Sequence, residues 1–129
     1  MKQRQLQLSL LKYKYAICTL PNTAPIPDWA LTETPVSITR TDKELTIVCA
    51  QDIIPLELQC DFNWQCFKID GSFDLNQTGV ISSISLPLAD AGISIYVIST
   101  YDTDYFLVKD HNLQQAISTL SNSGHSFAK

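Results

Sequence analysis

No stretch of this 129-residue chain approaches the roughly 20 consecutive apolar residues that cross a bilayer as a helix. A secretion signal is missing too. The basic start Met1-Lys2-Gln3-Arg4-Gln5 leads into Leu6-Gln7-Leu8-Ser9-Leu10, where apolar and polar residues alternate and no continuous apolar run forms. These two absences predict a cytoplasmic protein with no membrane partner. There is no basic stripe: 9 Lys and Arg face 13 Asp and Glu, and beyond the first few positions the basic residues are scattered. A field of net charge −4 repels phosphate backbones, which argues against nucleic acid as a partner.

The signatures of catalysis are absent as well. The chain has no Gly-x-Ser-x-Gly elbow, no phosphate-binding loop and no dinucleotide fingerprint. Neither histidine lies near the carboxylates Asp102 and Asp104, whose proximity would otherwise suggest acid–base hydrolysis. The chain therefore reads as a binding or structural protein, with no catalytic residue and no cofactor. None of the four cysteines, Cys18, Cys49, Cys60 and Cys66, stands in a Cys-x-x-Cys spacing. Their even number leaves pairing open, but without an export signal they read as reduced, buried thiols. Zinc held by these thiols with His111 and His125 is the sharper alternative. The spacings match no common zinc pattern, so no metal is expected.

What is present is an apolar fraction of 45%, enough for a packed core in a chain of this length. The second half is the easier to read. Phe67 and Ile69 share one face of a short strand, Cys66 to Asp70, which Gly71 stops. A polar loop from Ser72 to Gln77 follows, and then Val80, Ile81, Ile84, Leu88 and Ala91 fall at helical spacing between a Thr78 cap and a Gly92 stop. Pro87 within that span should kink the helix or shorten its regular part. Ile93 to Thr100 and Asp104 to Lys109 are rich in β-branched and aromatic residues and form a hairpin over Tyr101-Asp102-Thr103. Asp110 or Asn112 caps a second helix carrying Leu113, Ala116, Ile117 and Leu120, which Gly124 ends; His125 to Lys129 are left for at most a short strand.

That order is a ferredoxin-like βαββαβ unit, an α+β fold whose two helices cover one face of an antiparallel sheet. The opposite face is expected to be bare, and a unit of about 60 residues buries little surface, so something should pack on it or extend it. The first half supplies a shortened version: a strand from Tyr13 to Leu20, a short helical piece within Pro25 to Ala30, and a hairpin of Val36 to Thr39 with Glu44 to Ala50. Pro55 to Trp64 is the join. Residues 1–61 and 62–129 are thus read as two units in tandem, related by element order. Trp29 and Trp64 are read as core or seam aromatics.

Several stretches carry a family resemblance. Val36-Ser37-Ile38-Thr39-Arg40-Thr41 is followed by Glu44-Leu45-Thr46-Ile47-Val48-Cys49; later come Trp64-Gln65-Cys66-Phe67-Lys68, Thr78-Gly79-Val80, Pro87-Leu88-Ala89-Asp90-Ala91-Gly92-Ile93-Ser94 and Ser99-Thr100-Tyr101-Asp102-Thr103-Asp104. Together, from about Leu8 to about His125, they resemble the small tandem ACT-domain proteins of bacteria, which are related to the ACT units of the CASTOR arginine sensors and of aspartate kinases. The resemblance implies two ACT units, dimerisation through sheets or helices, and a regulatory protein that holds a small ligand, such as a free amino acid, at the seam between units.

The residues themselves offer a place for such a ligand. Unpaired backbone N–H groups and the positive end of a helix dipole near Gln77, Thr78 and Gly79 suit a carboxylate, and Gly79 permits close approach. By the resemblance, Gln77, Gly79 and Val80 border the pocket together with Thr100, Tyr101 and Asp104. Asp104 would then pair with a cationic amine or guanidinium, Tyr101 would cover the ligand's stem and Val80 would wall the pocket. An arginine site would favour an acidic residue where Gln77 stands, so arginine specificity does not carry over. Against this stand plainer readings, in which Thr78 only caps a helix and Asp102 and Asp104 only serve a turn. The chain would then be an interaction protein that dimerises or docks through its sheets without a ligand.

Overall fold

The computed structural model describes residues 4–71 and 77–128, so the loop expected from Ser72 lies outside the described residues up to Gln77. The strands are β1 (Gln7–Leu20), β2 (Ser37–Arg40), β3 (Leu45–Ala50), β4 (Gln59–Ile69), β5 (Ile95–Ser99), β6 (Asp104–Lys109) and β7 (Ser126–Phe127), with α1 at Ser82–Asp90 and α2 at Leu113–Asn122. The chain divides into a smaller unit, Tyr13–Trp64, and a larger unit made of Met1–Lys12 with Gln65–Lys129. Both long strands run well past their expected starts. The first begins where Leu6-Gln7-Leu8-Ser9-Leu10 alternates, the period-two signature of a strand with one buried face, and Leu6 and Leu8 are its buried residues.

In the smaller unit the strand order is β2-β3-β1-β4. The antiparallel registers run from Tyr15↔Ala50 to Leu20↔Leu45 and from Ser37↔Val48 to Arg40↔Leu45. Two 3-10 turns, Asp28–Leu31 and Gln51–Ile53, stand in its connections in place of full helices. Ala30, Leu45, Ile47 and Cys49 form its core, with Trp29, Val36 and Ile38 packed against it. The expectation of four reduced thiols is corrected here, because Cys18 and Cys60 are joined as a disulfide. They occupy the neighbouring strands β1 and β4, a placement that a sequence separation of 42 conceals.

Cys49 and Cys66 remain as free, buried thiols. Burial in apolar surroundings disfavours the thiolate and pushes them up from 9.0, to about 11 and about 12 respectively. A group held protonated in the fold but able to ionise in the unfolded chain binds more protons when folded. Its contribution is therefore whole below pH 9 and is lost as the pH climbs through 11 and 12. Melting temperature should fall steadily above pH 9, and intact-mass analysis should find neither thiol carbamidomethylated after iodoacetamide treatment of the folded protein at pH 8.

The larger unit carries the order β1-β4-β6-β5, with β7 on the outer side of β1 through the parallel pairs Gln7↔Ser126 and Leu8↔Phe127. The opening half of β1 therefore lies between β4 and β7, a position no local pattern reveals. Helix α1, helix α2 and the sheet enclose a core of Leu8, Phe67, Ile69, Ile84, Phe106 and Leu120, among others. At its centre Phe67 and Phe106 stack with ring centroids 5.0 Å apart. Each fully buried side chain of this kind is worth about 1.5–3 kcal/mol. Since Phe67 and Phe106 face the helices, Cys66 and Leu107 point to the other side of the sheet. They too are buried, so the face expected to be bare is covered at its middle.

Both helices end alike. Gly92 at φ +76 lets Ile93 N–H reach the Leu88 carbonyl at 2.9 Å, and Gly124 at φ +98 lets His125 N–H reach that of Leu120 at 3.1 Å. These are left-handed glycine stops. The start of α1 differs from expectation: Thr78 does not cap it, and the helix begins four residues later after Ile81 with no side-chain cap. Pro87 lies within it, and the helix continues through to Asp90. Proline has no N–H to give the carbonyl four residues back, which is that of Ser83. His125 Nε2 lies 2.9 Å from this orphaned oxygen and supplies the missing donor.

Candidate functional site

The site residues expected from sequence fall on two turns of the larger unit. The first, leading into α1, is shaped by Gly79 at φ +80, a left-handed conformation that side chains resist. Its carbonyl accepts the Ser83 N–H at 3.2 Å and the Ser83 hydroxyl at 2.6 Å. The preceding carbonyl, Thr78, accepts the Arg4 Nε–H at 2.9 Å. Gln77 and Thr78 are exposed, Gly79 is half-buried, and Val80 is folded into the core.

The second turn joins β5 to β6. Thr100 organises it with its side chain: the hydroxyl oxygen accepts the N–H groups of Asp102 at 3.3 Å and Thr103 at 3.1 Å, while the Thr100 N–H donates to the Thr103 carbonyl at 2.8 Å. Tyr101, at the tip, is 86% exposed, and its ring stands in solvent. Asp104 is half-buried and pairs in register with Ser99. The turn is tethered to the sheet by the buried Thr103 hydroxyl, which donates to the Ile69 carbonyl at 2.8 Å.

Ile69 is the last residue of β4. The second turn is tied to that end of β4 through Thr103, and the first turn leads into α1. Gln77, Gly79 and Val80 lie together on the first turn, and Thr100, Tyr101 and Asp104 on the second. Arg4, Ser83, Thr103 and His125 complete the structure around the turns and have no counterpart among the residues expected from sequence. Of these, Thr103 is marked by its place in the polar Thr100–Asp104 turn, and Ser83 as a polar residue on the apolar side of α1 beside Ile84. Among the described residues, no group of three or more His, Cys, Asp and Glu could hold a metal ion, and no helix is long and apolar enough to cross a membrane.

Comparison with known proteins agrees with this architecture. A family model described as an ACT domain matches residues 59–122, and a second, described as an N-terminal domain, matches residues 13–57. The structure of protein Atu0741 from Agobacterium tumefaciens superposes with a TM-score of 0.92 at 42% identity, over 97% of this chain and 93% of that one. The chain is 31% identical over 108 residues to the rat cytosolic arginine sensor for mTORC1 subunit 1, covering 79% of this chain and 32% of the sensor. It spans 61% of the length of one curated relative it matches and 32% of another. The regulatory subunit of aspartate kinase from Thermus thermophilus shares the fold, with a TM-score of 0.59 at 12% identity over 90% of this chain and 96% of the subunit. With a βαββαβ run whose last strand joins β1 in parallel, and an ACT-domain match over residues 59–122, the chain belongs to the ACT-domain family.

Proposed function

We propose that this chain is a cytoplasmic regulatory protein that binds a free amino acid at the two turns of the larger unit, and that it performs no reaction of its own. The observation that carries this reading is the chemical difference between the turns. One is a glycine turn at the start of a helix, suited to a carboxylate. The other offers the Asp104 carboxylate and the Thr100 hydroxyl, suited to an amine. Tyr101, exposed at the tip, is free to fold over a ligand's stem, and Gln77 lies beside the first turn as a neutral partner, which favours an uncharged side chain over arginine's.

Membership of the ACT family supports the reading, as does likeness to a rat protein named as an arginine sensor. The test is a thermal-shift panel of the twenty amino acids. A ligand at 100 times its Kd adds about 2.7 kcal/mol to stability, a rise of several degrees in a domain of this size. Asp104→Ala should remove the rise and leave the unliganded melting temperature within about 2 °C, since a half-exposed turn carboxylate contributes little to folding. No rise with any amino acid at millimolar concentration would end the proposal in favour of a ligand-free interaction protein.

A further inference from the structure

We infer that the smaller unit carries a docking face for a basic, amphipathic helix of a partner protein, formed around the two 3-10 turns that stand over its sheet. It does not depend on amino-acid binding by the larger unit.

The face is defined first by a thin cover. In the larger unit the sheet is covered by α1 and α2, nine and ten residues long, whereas the cover of the smaller unit is Asp28–Leu31 and Gln51–Ile53, of four and three residues. Both short pieces lie on one face, because Trp29 and Ile53 pack against the same cluster of Ala30, Leu45, Ile47 and Cys49. Turns of this length close over the cluster and leave their apolar neighbours in water. Leu31 is 60% exposed, Leu56 99% and Ile26 45%. Phe62 of β4, 40% exposed, points the same way as Cys60 two residues earlier, and the disulfide partner of Cys60, Cys18, is in register with Ile47 of the cluster. Four large apolar side chains on one face of a small unit mark an interaction surface.

Their surroundings carry one sign of charge. No Lys or Arg occurs from Tyr15 to Thr39 or from Glu44 to Phe67. The same stretches hold Asp28, Glu33, Asp52, Glu57 and Asp61, of which all but the half-buried Glu33 are exposed. Seven acidic side chains face three basic ones in Tyr13–Trp64, so the net charge of −4 belongs to this unit, and six of each sign balance in the larger one. A second copy would bring like charge to the same face, and nucleic acid or an anionic membrane would be repelled. Apolar anchors within an acidic surround fit a helix with leucine-like residues on one side and lysine or arginine on the other. A helix is also the element that completes a layer over a sheet, as α1 and α2 do in the larger unit.

The probe is a dye-labelled synthetic peptide of leucine and lysine patterned as an amphipathic helix, titrated into the full chain and followed by fluorescence anisotropy. Two peptides control it: a scrambled one of the same composition, and one with glutamate in place of lysine. The patterned peptide should bind, the scrambled one roughly tenfold more weakly and the glutamate one not at all, and its contacts should shift amide NMR signals within residues 26–33 and 51–62. Leu31→Ser with Leu56→Ser should weaken the patterned peptide roughly tenfold, and so should Asp28→Asn with Asp52→Asn and Glu57→Gln. All five side chains are exposed, so both variants should keep the native melting temperature and its response to amino acids. Equal binding of patterned and scrambled peptides, variants that bind like the native chain, or no binding at all would overturn the inference. So would a native dimer that Leu56→Ser turns into monomers, which gives the face to a second copy, or flotation with phosphatidylcholine vesicles, which gives it to a membrane.

Discussion

Replacing His125 with leucine should lower the stability of this protein by about 3–4 kcal/mol, although leucine matches the apolar setting and fills most of the imidazole's volume. The reason is an accounting of two buried backbone groups. His125 Nδ1 accepts the Leu6 N–H at 3.0 Å, and Nε2 lies 2.9 Å from the Ser83 carbonyl. An amide N–H can only donate and a carbonyl can only accept, so the ring is neutral with its proton on Nε2. Leucine leaves both groups buried without partners, at about 1–3 kcal/mol each. Chemical denaturation of the variant reads the loss, and a change below about 1 kcal/mol would show that water or a rearranged backbone replaces the ring. A second substitution sharpens the test. Pro87→Ala restores an N–H one turn beyond Ser83, so it should recover about 1–2 kcal/mol in the leucine background by satisfying that carbonyl from within the helix. In the native background the new N–H competes with His125, and the two effects should be non-additive.

The same residue shows where a sequence stops being legible. Leu113, Ala116, Ile117 and Leu120 announce α2 through their spacing, and Gly124 announces its end; those features are local. That the next residue enters the interior to serve Leu6 and Ser83 depends on groups 119 and 42 positions away, and backbone groups carry no residue-type signal. Pro87 was readable as a disturbance to a helix. Its remedy was not, because the donor comes from the far end of the chain.

The long strands illustrate a different limit. The alternation from Leu6 to Leu10 is a strand pattern in plain view, and it is informative about structure as well as about the lack of a signal peptide. Gln59 to Asn63 alternates too, with Cys60 and Phe62 set between Gln59, Asp61 and Asn63, but Phe62 is exposed, so there the pattern marks a strand without marking a buried face; those residues lie in β4 beside β1. The candidate site divides in the same manner. Gly79 and the Thr100–Asp104 turn are marked by residue type, whereas Arg4 is joined to Thr78 across 74 positions by a contact to a main-chain oxygen.

Reducing the Cys18–Cys60 bond should cost nearly as much as losing His125, and it bears on where the protein works. The bond closes a loop of 42 residues on neighbouring strands, and by the chain-entropy relation a loop of that length constrains the unfolded chain by about 4 kcal/mol. For a domain of this size that is roughly 15 °C in melting temperature. The intact protein should be 2 Da lighter than its reduced form, and a reductant should lower its melting temperature by that order. The double variant Cys18→Ala, Cys60→Ser should melt at the lower temperature with or without reductant. If reductant leaves the native protein's melting unchanged, the thiols are not linked in solution. A cytosolic thiol pool reduces most disulfides, so in the compartment proposed here the chain would work at its lower stability. The smaller unit would feel that loss directly, since β1 and β4 meet there through this bond. The turns of the larger unit, held by Ser83, Thr103 and His125 without any cysteine, should bind their ligand equally well in either state. Equal amino-acid affinity with and without reductant is the result expected, and a large difference would tie the candidate site to the oxidation state of β1 and β4.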